Sequence, residues 1–131
     1  MFGRQRSSSL DVPNGFEIAM TTPAASIFQF DQFLFARYDP GAGIGWHRDR
    51  DVFEQVVGVS LNSSATLRFR QRAGSGFRRA KLEVEPRSAY LLSGESRWDW
   101  EHSIVPGERL RFSITFRTMS DKGRRIAAQQ I

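Results

Sequence analysis

The 131-residue chain has no cysteine, only two lysines and only two histidines, and these absences narrow the functions open to it. Without cysteine it can form neither a disulfide bond nor a thiolate metal site. It has no apolar run long enough to span a membrane and no signal-peptide pattern at its start, so we expect a soluble cytoplasmic protein without a membrane partner. We also expect a monomer. Any site that needs two imidazoles must use both His47 and His102.

The chain is rich instead in arginine. It has 19 lysines and arginines against 14 acidic residues, a net charge of +5, and all but two of the 19 are arginines. Guanidinium groups pair with phosphates and stack on bases, so this composition is compatible with a nucleic-acid partner. It is equally compatible with a solvated basic surface. The 40% of hydrophobic residues, with eleven Phe, are enough for one packed core.

A glycine-rich turn at residues 41–45 leads into a His-x-Asp pair, His47 and Asp49. Residues i and i+2 of a strand point to the same face, so this pair would aim a nitrogen and a carboxylate oxygen at one point. A facial triad of two histidines and one carboxylate would take its third ligand from His102 and leave the other positions of a metal open. A lone His-x-Asp pair is weak evidence, because the same residues can cap a turn and be solvated.

Residues 109–117 alternate between apolar and polar side chains, as a half-buried strand does. One face, which we expect to pack in the core, consists of Leu110, Phe112, Ile114 and Phe116. The other face consists of Arg111, Ser113, Thr115 and Arg117. Two guanidinium groups on one face suit a dicarboxylate, since each can pair with one carboxylate. An exposed edge strand protected by charge is the alternative.

Together these motifs resemble the AlkB family of iron(II)- and 2-oxoglutarate-dependent dioxygenases, which repair alkylated nucleic acid. The resemblance extends from about residue 33 to residue 119, with the motifs in family order. Iron(II), and through it O2, would bind at the catalytic residues His47, Asp49 and His102. By resemblance, 2-oxoglutarate would bind Tyr38, Arg111, Ser113 and Arg117.

The activity implied is oxidative removal of alkyl groups from nitrogen atoms of bases in DNA or RNA, with single strands as the expected partner. Two alternatives stay open. The chain could be a 2-oxoglutarate oxygenase that acts on protein or on a small molecule. It could also be a truncated, inactive homologue that binds nucleic acid through its arginines.

Four residues are assigned to substrate binding: Trp46, Asp51, Arg68 and Arg70. Asp51 lies two positions after Asp49, where the AlkB family often has an acidic residue that contacts the damaged base; a solvated loop carboxylate is the alternative. Arg68 and Arg70 belong to a predicted basic hairpin that would contact phosphates or form a solvated charged face.

Short predicted strands separated by turn signals, without long helical periodicity, indicate an all-β jelly roll. The resemblance implies the same fold, a double-stranded β-helix. We expect a poorly structured segment at 1–26, a dioxygenase core at 27–119 and a loose basic tail at 120–131. The strand within residues 27–38 should be buried from Phe33 onward. The residues before the glycine-rich turn do not match the nucleotide-recognition lid of the AlkB family.

Overall fold

The computed structural model describes residues 3–5, 18–21 and 31–129, and within these ranges the chain forms ten strands and two helices. The strands are β1 (Gly3–Gln5), β2 (Ile18–Thr21), β3 (Gln32–Tyr38), β4 (Ile44–His47), β5 (Phe53–Leu61), β6 (Ala65–Ala73), β7 (Gly76–Val84), β8 (Ser88–Leu92), β9 (Glu101–Ile104) and β10 (Arg111–Met119). The helices are α1 (Glu95–Trp98) and α2 (Asp121–Ala128). No helix in the described ranges is long and apolar enough to cross a membrane.

The strands form two antiparallel sheets that share one core. The large sheet has six strands in the order β1-β2-β8-β5-β10-β3, and the small sheet has four in the order β4-β9-β6-β7. Val56 and Tyr90 of the large sheet belong to the same buried cluster as Leu67 and Phe69 of the small one, with the fully buried Trp100. Two facing antiparallel sheets with a common core confirm the prediction of an all-β jelly roll.

Strand β10 alternates as predicted, but its polar face points into the protein. Arg111 and Ser113 are buried, whereas Phe112 is only half-buried. Phe112 lies on the outer side of the large sheet, where its ring centroid is 5.7 Å from that of Phe35. The expectation that the apolar face of this strand packs in the core is therefore wrong. So is the expected burial of β3, since Phe33 and Phe35 are 71% and 58% exposed.

Both terminal segments contain more regular structure than expected. Strands β1 and β2 lie within the segment predicted to be poorly structured, and β2 pairs with β8 of the large sheet. The rest of that segment lies outside the described residues. The tail forms helix α2, whose N-cap Ser120 accepts a hydrogen bond from the Gly123 amide at 3.1 Å. An eight-residue helix has little stability of its own, so its packing against the protein decides that it forms.

Helix α2 packs against the loop that follows Asp49, and Gly123 permits the contact. A Cβ at Gly123 would overlap the carbonyl oxygen of Val52 and lie 2.8 Å from Met119 Sδ. We expect Gly123→Ala to lower the free energy of unfolding by about 1–3 kcal/mol, because the helix must shift away from the loop. Thermal unfolding followed by circular dichroism measures this loss. Gly76→Ala is the control, since a Cβ there meets no atom of the described residues within 4 Å; equal unfolding temperatures for the two variants would contradict the prediction.

Burial of Tyr90 should make the free energy of unfolding depend on pH in alkaline solution. Its side chain is buried beside Gly58, and this burial raises the pKa of Tyr90 to about 12 from an ordinary value of 10.0. The unfolded phenol ionises near pH 10 while the folded phenol stays neutral, so stability is full below pH 10 and falls between pH 10 and 12. The expected slope is about 1.4 kcal/mol per pH unit. Denaturant unfolding of wild type and Tyr90→Phe across this range tests it; the same slope in both proteins would show that Tyr90 is not responsible.

Candidate metal centre

Three predicted ligands meet at the edge of the small sheet. His47 ends β4, and its register partner on β9 is His102. The two imidazole centroids lie 4.3 Å apart. Asp49 follows β4, and its Oδ1 atom is 3.5 Å from His47 Nε2 and 3.7 Å from His102 Nε2. One potential ligand atom from each residue lies within 4.8 Å of the others, close enough for one ion to bind all three.

The donor set and its burial fit iron(II). Two imidazole nitrogens and one carboxylate oxygen form the facial triad typical of non-haem iron(II) oxygenases. The side chains of Asp49 and His102 are 6% and 11% exposed, whereas that of His47 is 36% exposed. The remaining coordination positions would therefore be approached from the His47 side. The Nδ1 atom of His47 hydrogen-bonds to the Gly45 carbonyl at 2.9 Å, which fixes the tautomer and turns Nε2 toward Asp49.

The electrostatics of His102 and Asp49 favour metal binding at neutral pH. Burial lowers the pKa of His102 to about 4, so this imidazole is neutral and can donate its lone pair. Burial alone would raise the pKa of the Asp49 carboxyl, but hydrogen bonds from His47 and Arg117 outweigh it and hold the pKa well below its usual range. The hydrogen bond to Asp49 raises the pKa of His47. A metal ion at His47 Nε2 would therefore compete with a proton for this nitrogen.

Arg117 supports the carboxylate ligand from strand β10. Its Nε donates a hydrogen bond to Asp49 Oδ2 at 2.9 Å, and its side chain is 16% exposed. The resemblance predicts that Arg117 binds 2-oxoglutarate. In the structure its partner is the metal ligand itself, so Arg117 orients Asp49 and keeps it ionised.

Sequence reasoning did not find Arg97, which holds the loop after Asp49. Arg97 is 2% exposed, and its Nη2 donates hydrogen bonds to the carbonyl oxygens of Arg50 at 2.8 Å and Phe53 at 2.7 Å. Its guanidinium carbon lies 4.2 Å from the Trp98 ring centroid. These partners are more than forty positions away in the sequence, so no local pattern distinguishes Arg97 from a surface arginine.

We expect Arg97→Met to destabilise the protein and to weaken metal binding. The change removes two charged hydrogen bonds to buried backbone carbonyls, which costs about 2–4 kcal/mol of unfolding free energy, although the Arg50 carbonyl keeps the Phe53 amide as a donor. A freed loop also places Asp49 less accurately, which should weaken metal affinity about tenfold. Denaturant unfolding and Mn(II) titration measure the two effects. Arg125→Met, on the exposed side of α2, is the control. An unchanged unfolding midpoint for Arg97→Met would contradict the prediction.

The residues predicted to hold the cosubstrate lie on the inner face of the large sheet. Tyr38 and Arg111 are register partners, and the guanidinium carbon of Arg111 lies 5.2 Å from the Tyr38 ring centroid. Arg111 is 4% exposed and donates a hydrogen bond through Nε to Ser60 Oγ at 3.0 Å. Ser113 is also buried and pairs with Ser60 in register.

One atom of Arg111 indicates what this part of the site binds. Its Nη1 is buried and has no hydrogen-bond partner among the described residues. A buried guanidinium N–H without an acceptor is costly, and a carboxylate fits it best. The distal carboxylate of 2-oxoglutarate is such an acceptor, so the residues present fit the cosubstrate as well as the metal.

Asp51 is not brought to the metal ligands. Strand β4 ends at His47, so the alternation that would put Asp51 on the same face as Asp49 does not persist. The Asp51 side chain is 62% exposed, and its carboxylate pairs with Lys122 Nζ of helix α2 at 2.7 Å. The structure therefore corrects the predicted placement, and Asp51 lies on the surface between the metal loop and α2.

Trp46, Arg68 and Arg70 are likewise turned away from the metal. Phe69, between the two arginines, faces inward and packs near His102 at 6.3 Å between ring centroids. The arginines therefore point to the outer side of the small sheet. There their guanidinium carbons lie 5.1 and 4.5 Å from the Trp46 ring centroid. These three predicted substrate residues are brought together, but on the opposite side of the sheet from the metal ligands.

Fold and site together define the class of protein: a jelly roll with a His-Asp-His centre for iron and a buried arginine suited to an acidic cosubstrate. Residues 12–121 match the family described as the 2OG-Fe(II) oxygenase superfamily. This protein belongs to the 2OG-Fe(II) oxygenase superfamily. The sequence-based predictions of iron(II) and 2-oxoglutarate as cofactors are thereby confirmed.

The similar proteins include a dioxygenase and a tRNA methyltransferase. The alpha-ketoglutarate-dependent dioxygenase AlkB of Salmonella typhimurium is 32% identical over 111 residues, which are 72% of this chain and 48% of AlkB. The tRNA (carboxymethyluridine(34)-5-O)-methyltransferase alkbh8 of Xenopus tropicalis is 35% identical over 78 residues, 58% of this chain and 12% of that protein. The predicted resemblance to AlkB-like dioxygenases is confirmed. The chain spans about half, or less, of the length of these relatives.

A solved structure supports the fold. A prolyl-4-hydroxylase from Pseudomonas putida matches with a TM-score of 0.53 and 25% sequence identity, over 70% of this chain and 54% of that chain. Both sheets of the described residues are thus of the double-stranded β-helix type.

Proposed function

We propose that this oxygenase oxidatively removes alkyl groups from nitrogen atoms of bases in single-stranded DNA or RNA, in the cytoplasm. The observation that carries the oxygenase chemistry is the cluster of His47, Asp49 and His102, together with a buried nitrogen of Arg111 that has no partner among the described residues and lies on the inner face of the neighbouring sheet. The choice of substrate is supported by the 32% identity to Salmonella AlkB and by the arginine-rich composition.

Each residue of the site has a defined task in this reaction. His47, Asp49 and His102 would hold the metal, and Arg117 keeps Asp49 ionised and oriented. Arg111, beside Tyr38, would pair with the distal carboxylate of 2-oxoglutarate. When bound, iron(II) would supply the redox chemistry that couples decarboxylation of 2-oxoglutarate to succinate and CO2, which takes up one oxygen atom of O2, to transfer of the other oxygen atom to the alkyl group. A hydroxylated N-methyl group would then be lost as formaldehyde.

The test is succinate and formaldehyde release by the purified protein with 2-oxoglutarate, iron(II) and ascorbate. We expect turnover that rises several-fold when methylated single-stranded DNA or RNA is added and does not rise with the unmethylated strand. Near-UV circular dichroism establishes that the sample is folded. Turnover without stimulation by either methylated strand would refute the substrate class, and no turnover in a folded sample would refute the activity and favour an inactive homologue.

A second candidate is hydroxylation of a protein. The structural match to the Pseudomonas putida prolyl-4-hydroxylase favours it. The same succinate assay distinguishes the two, because a proline-containing peptide would then replace the methylated strand as the stimulating substrate.

A further inference from the structure

The outer side of the small sheet carries a group of aromatic and basic side chains that the metal centre does not use. We call this surface the arginine–aromatic face, and it consists of Trp46, Arg68, Arg70, Arg72, Phe77 and Arg79. Its residues come from strands β4, β6 and β7; β6 and β7 form a hairpin, and the small sheet places β4 across β9 from them.

Arg70 is the centre of the face, because it lies between two aromatic rings. Its guanidinium carbon is 4.5 Å from the ring centroid of Trp46 and 4.5 Å from that of Phe77. The neighbouring guanidinium carbons are those of Arg68, 5.1 Å from Trp46, and of Arg72 and Arg79, 5.0 and 5.7 Å from Phe77. Both rings are half-buried rather than buried. The aromatic rings and the planar guanidinium groups therefore reach the surface side by side.

The face lies on the opposite side of the sheet from the metal centre. Phe69 pairs in register with the ligand His102 and faces inward, so Arg68 and Arg70 on either side of it face outward. A molecule bound to the arginine–aromatic face would therefore leave the approach to the metal open.

The charges of the face are arranged at a cost to stability. In the register of β6 and β7, Arg68 is opposite Lys81 and Arg70 is opposite Arg79, and like charges directly opposite each other destabilise a sheet. Glu101 lies 3.3 Å from Arg70 and offsets part of this charge. Strand β7 is an edge strand, and charge on an edge prevents aggregation, but that purpose does not require two aromatic rings on the same surface. The combination fits an anionic partner that also has flat apolar groups.

We propose that the arginine–aromatic face binds single-stranded nucleic acid at a site separate from the metal centre. Unpaired bases stack on the rings and guanidinium planes, while the flanking arginines pair with phosphates. The proposal rests on the proposed function for the choice of polymer, and it adds a second point of attachment to it. A strand held on this face raises the local concentration of its other bases at the metal centre.

The experiment measures binding without catalysis. Metal-free protein without 2-oxoglutarate is titrated into fluorescently labelled thymidine or uridine oligonucleotides of about 12 nucleotides, and anisotropy is recorded at low salt.

We expect Phe77→Ala to weaken binding between about fivefold and a hundredfold, the range for loss of one stacked base. Arg72→Glu changes an exposed side chain and should weaken binding by at least tenfold. If Phe77→Ala fails to fold, Arg72→Glu still tests the proposal. Arg125→Glu, on the exposed side of α2, is the control and should bind as wild type does.

An abasic oligonucleotide of equal length separates stacking from charge. It should bind more weakly than the thymidine strand, and Phe77→Ala should not weaken it further. Equal binding of abasic and base-containing strands, equal binding of an acidic polypeptide, wild-type affinity of Arg72→Glu, or no binding at all would overturn the proposal. The DNA and RNA arms show which polymer is preferred. Because the assay contains neither iron nor cosubstrate, strand binding that persists while succinate formation fails would refute only the proposed function.

Discussion

Replacing Asp49 with asparagine should abolish iron(II) binding and lower 2-oxoglutarate turnover by on the order of a thousandfold or more. The carboxylate is the single anionic ligand of the centre, and the two histidines supply no charge to balance a divalent ion. Asparagine has the same shape but accepts only through a neutral oxygen, and it leaves Arg117 without its ion-pair partner. Mn(II) titration and succinate release measure the two effects.

Asp99→Asn is the matched control for this change. Asp99 is exposed at the end of helix α1 and is not a member of the metal cluster, so the same chemical substitution there should leave both quantities unchanged. Circular dichroism of both variants establishes that they are folded. Metal affinity near that of wild type in Asp49→Asn would show that the His-Asp-His cluster is not the metal centre.

Replacing Arg111 with methionine should raise the 2-oxoglutarate concentration needed for half-maximal turnover by on the order of a hundredfold. The reason is the buried Nη1 atom, which has no acceptor among the described residues until a carboxylate is bound. Methionine fills much of the same space without charge, so the sheet should remain intact. Metal affinity should not change, since Arg111 is not one of the three ligand residues.

A thermal shift provides a second readout for Arg111 that does not depend on turnover. With Mn(II) present, 2-oxoglutarate should raise the unfolding temperature of wild type, because a ligand that binds only the folded state stabilises it. Arg111→Met should lose most of this shift, whereas Arg125→Met should keep it. A full shift in Arg111→Met would mean that the cosubstrate carboxylate binds elsewhere.

The metal ligands could be predicted from the sequence because two of them are close together in the chain and the candidates for the third are few. His47 and Asp49 lie two residues apart at the end of a strand, and His102 is the only other histidine. Alternation alone also separates Trp46 from His47, since neighbouring residues of a strand face opposite sides. If His47 faces the metal, the same rule puts Trp46 on the outer side of the small sheet, away from a substrate at the metal.

The polarity of β10 could not be predicted from alternation. The pattern correctly separates Arg111 and Ser113 from Phe112, but periodicity does not tell which of two faces is inside. The usual assumption that the apolar face is buried fails here because the space between the sheets must hold a charged cosubstrate. Arg97 and helix α2 were missed for another reason, since both act through contacts with a loop that is distant in the sequence.

The position of β10 affects how the protein folds during its synthesis. The strand is made after all the others described, yet it lies between β5 and β3, so neither of these can pair on that side until residues 111–119 have left the ribosome. Until β10 has been synthesised, the unpaired edges of β5 and β3 are open to pairing with other chains. Arg117 arrives on the same strand, so the large sheet and the support of Asp49 are completed in one late event. Such non-local pairing predicts slow folding, in milliseconds to seconds, and a nascent chain that depends on low concentration or on chaperones to avoid aggregation.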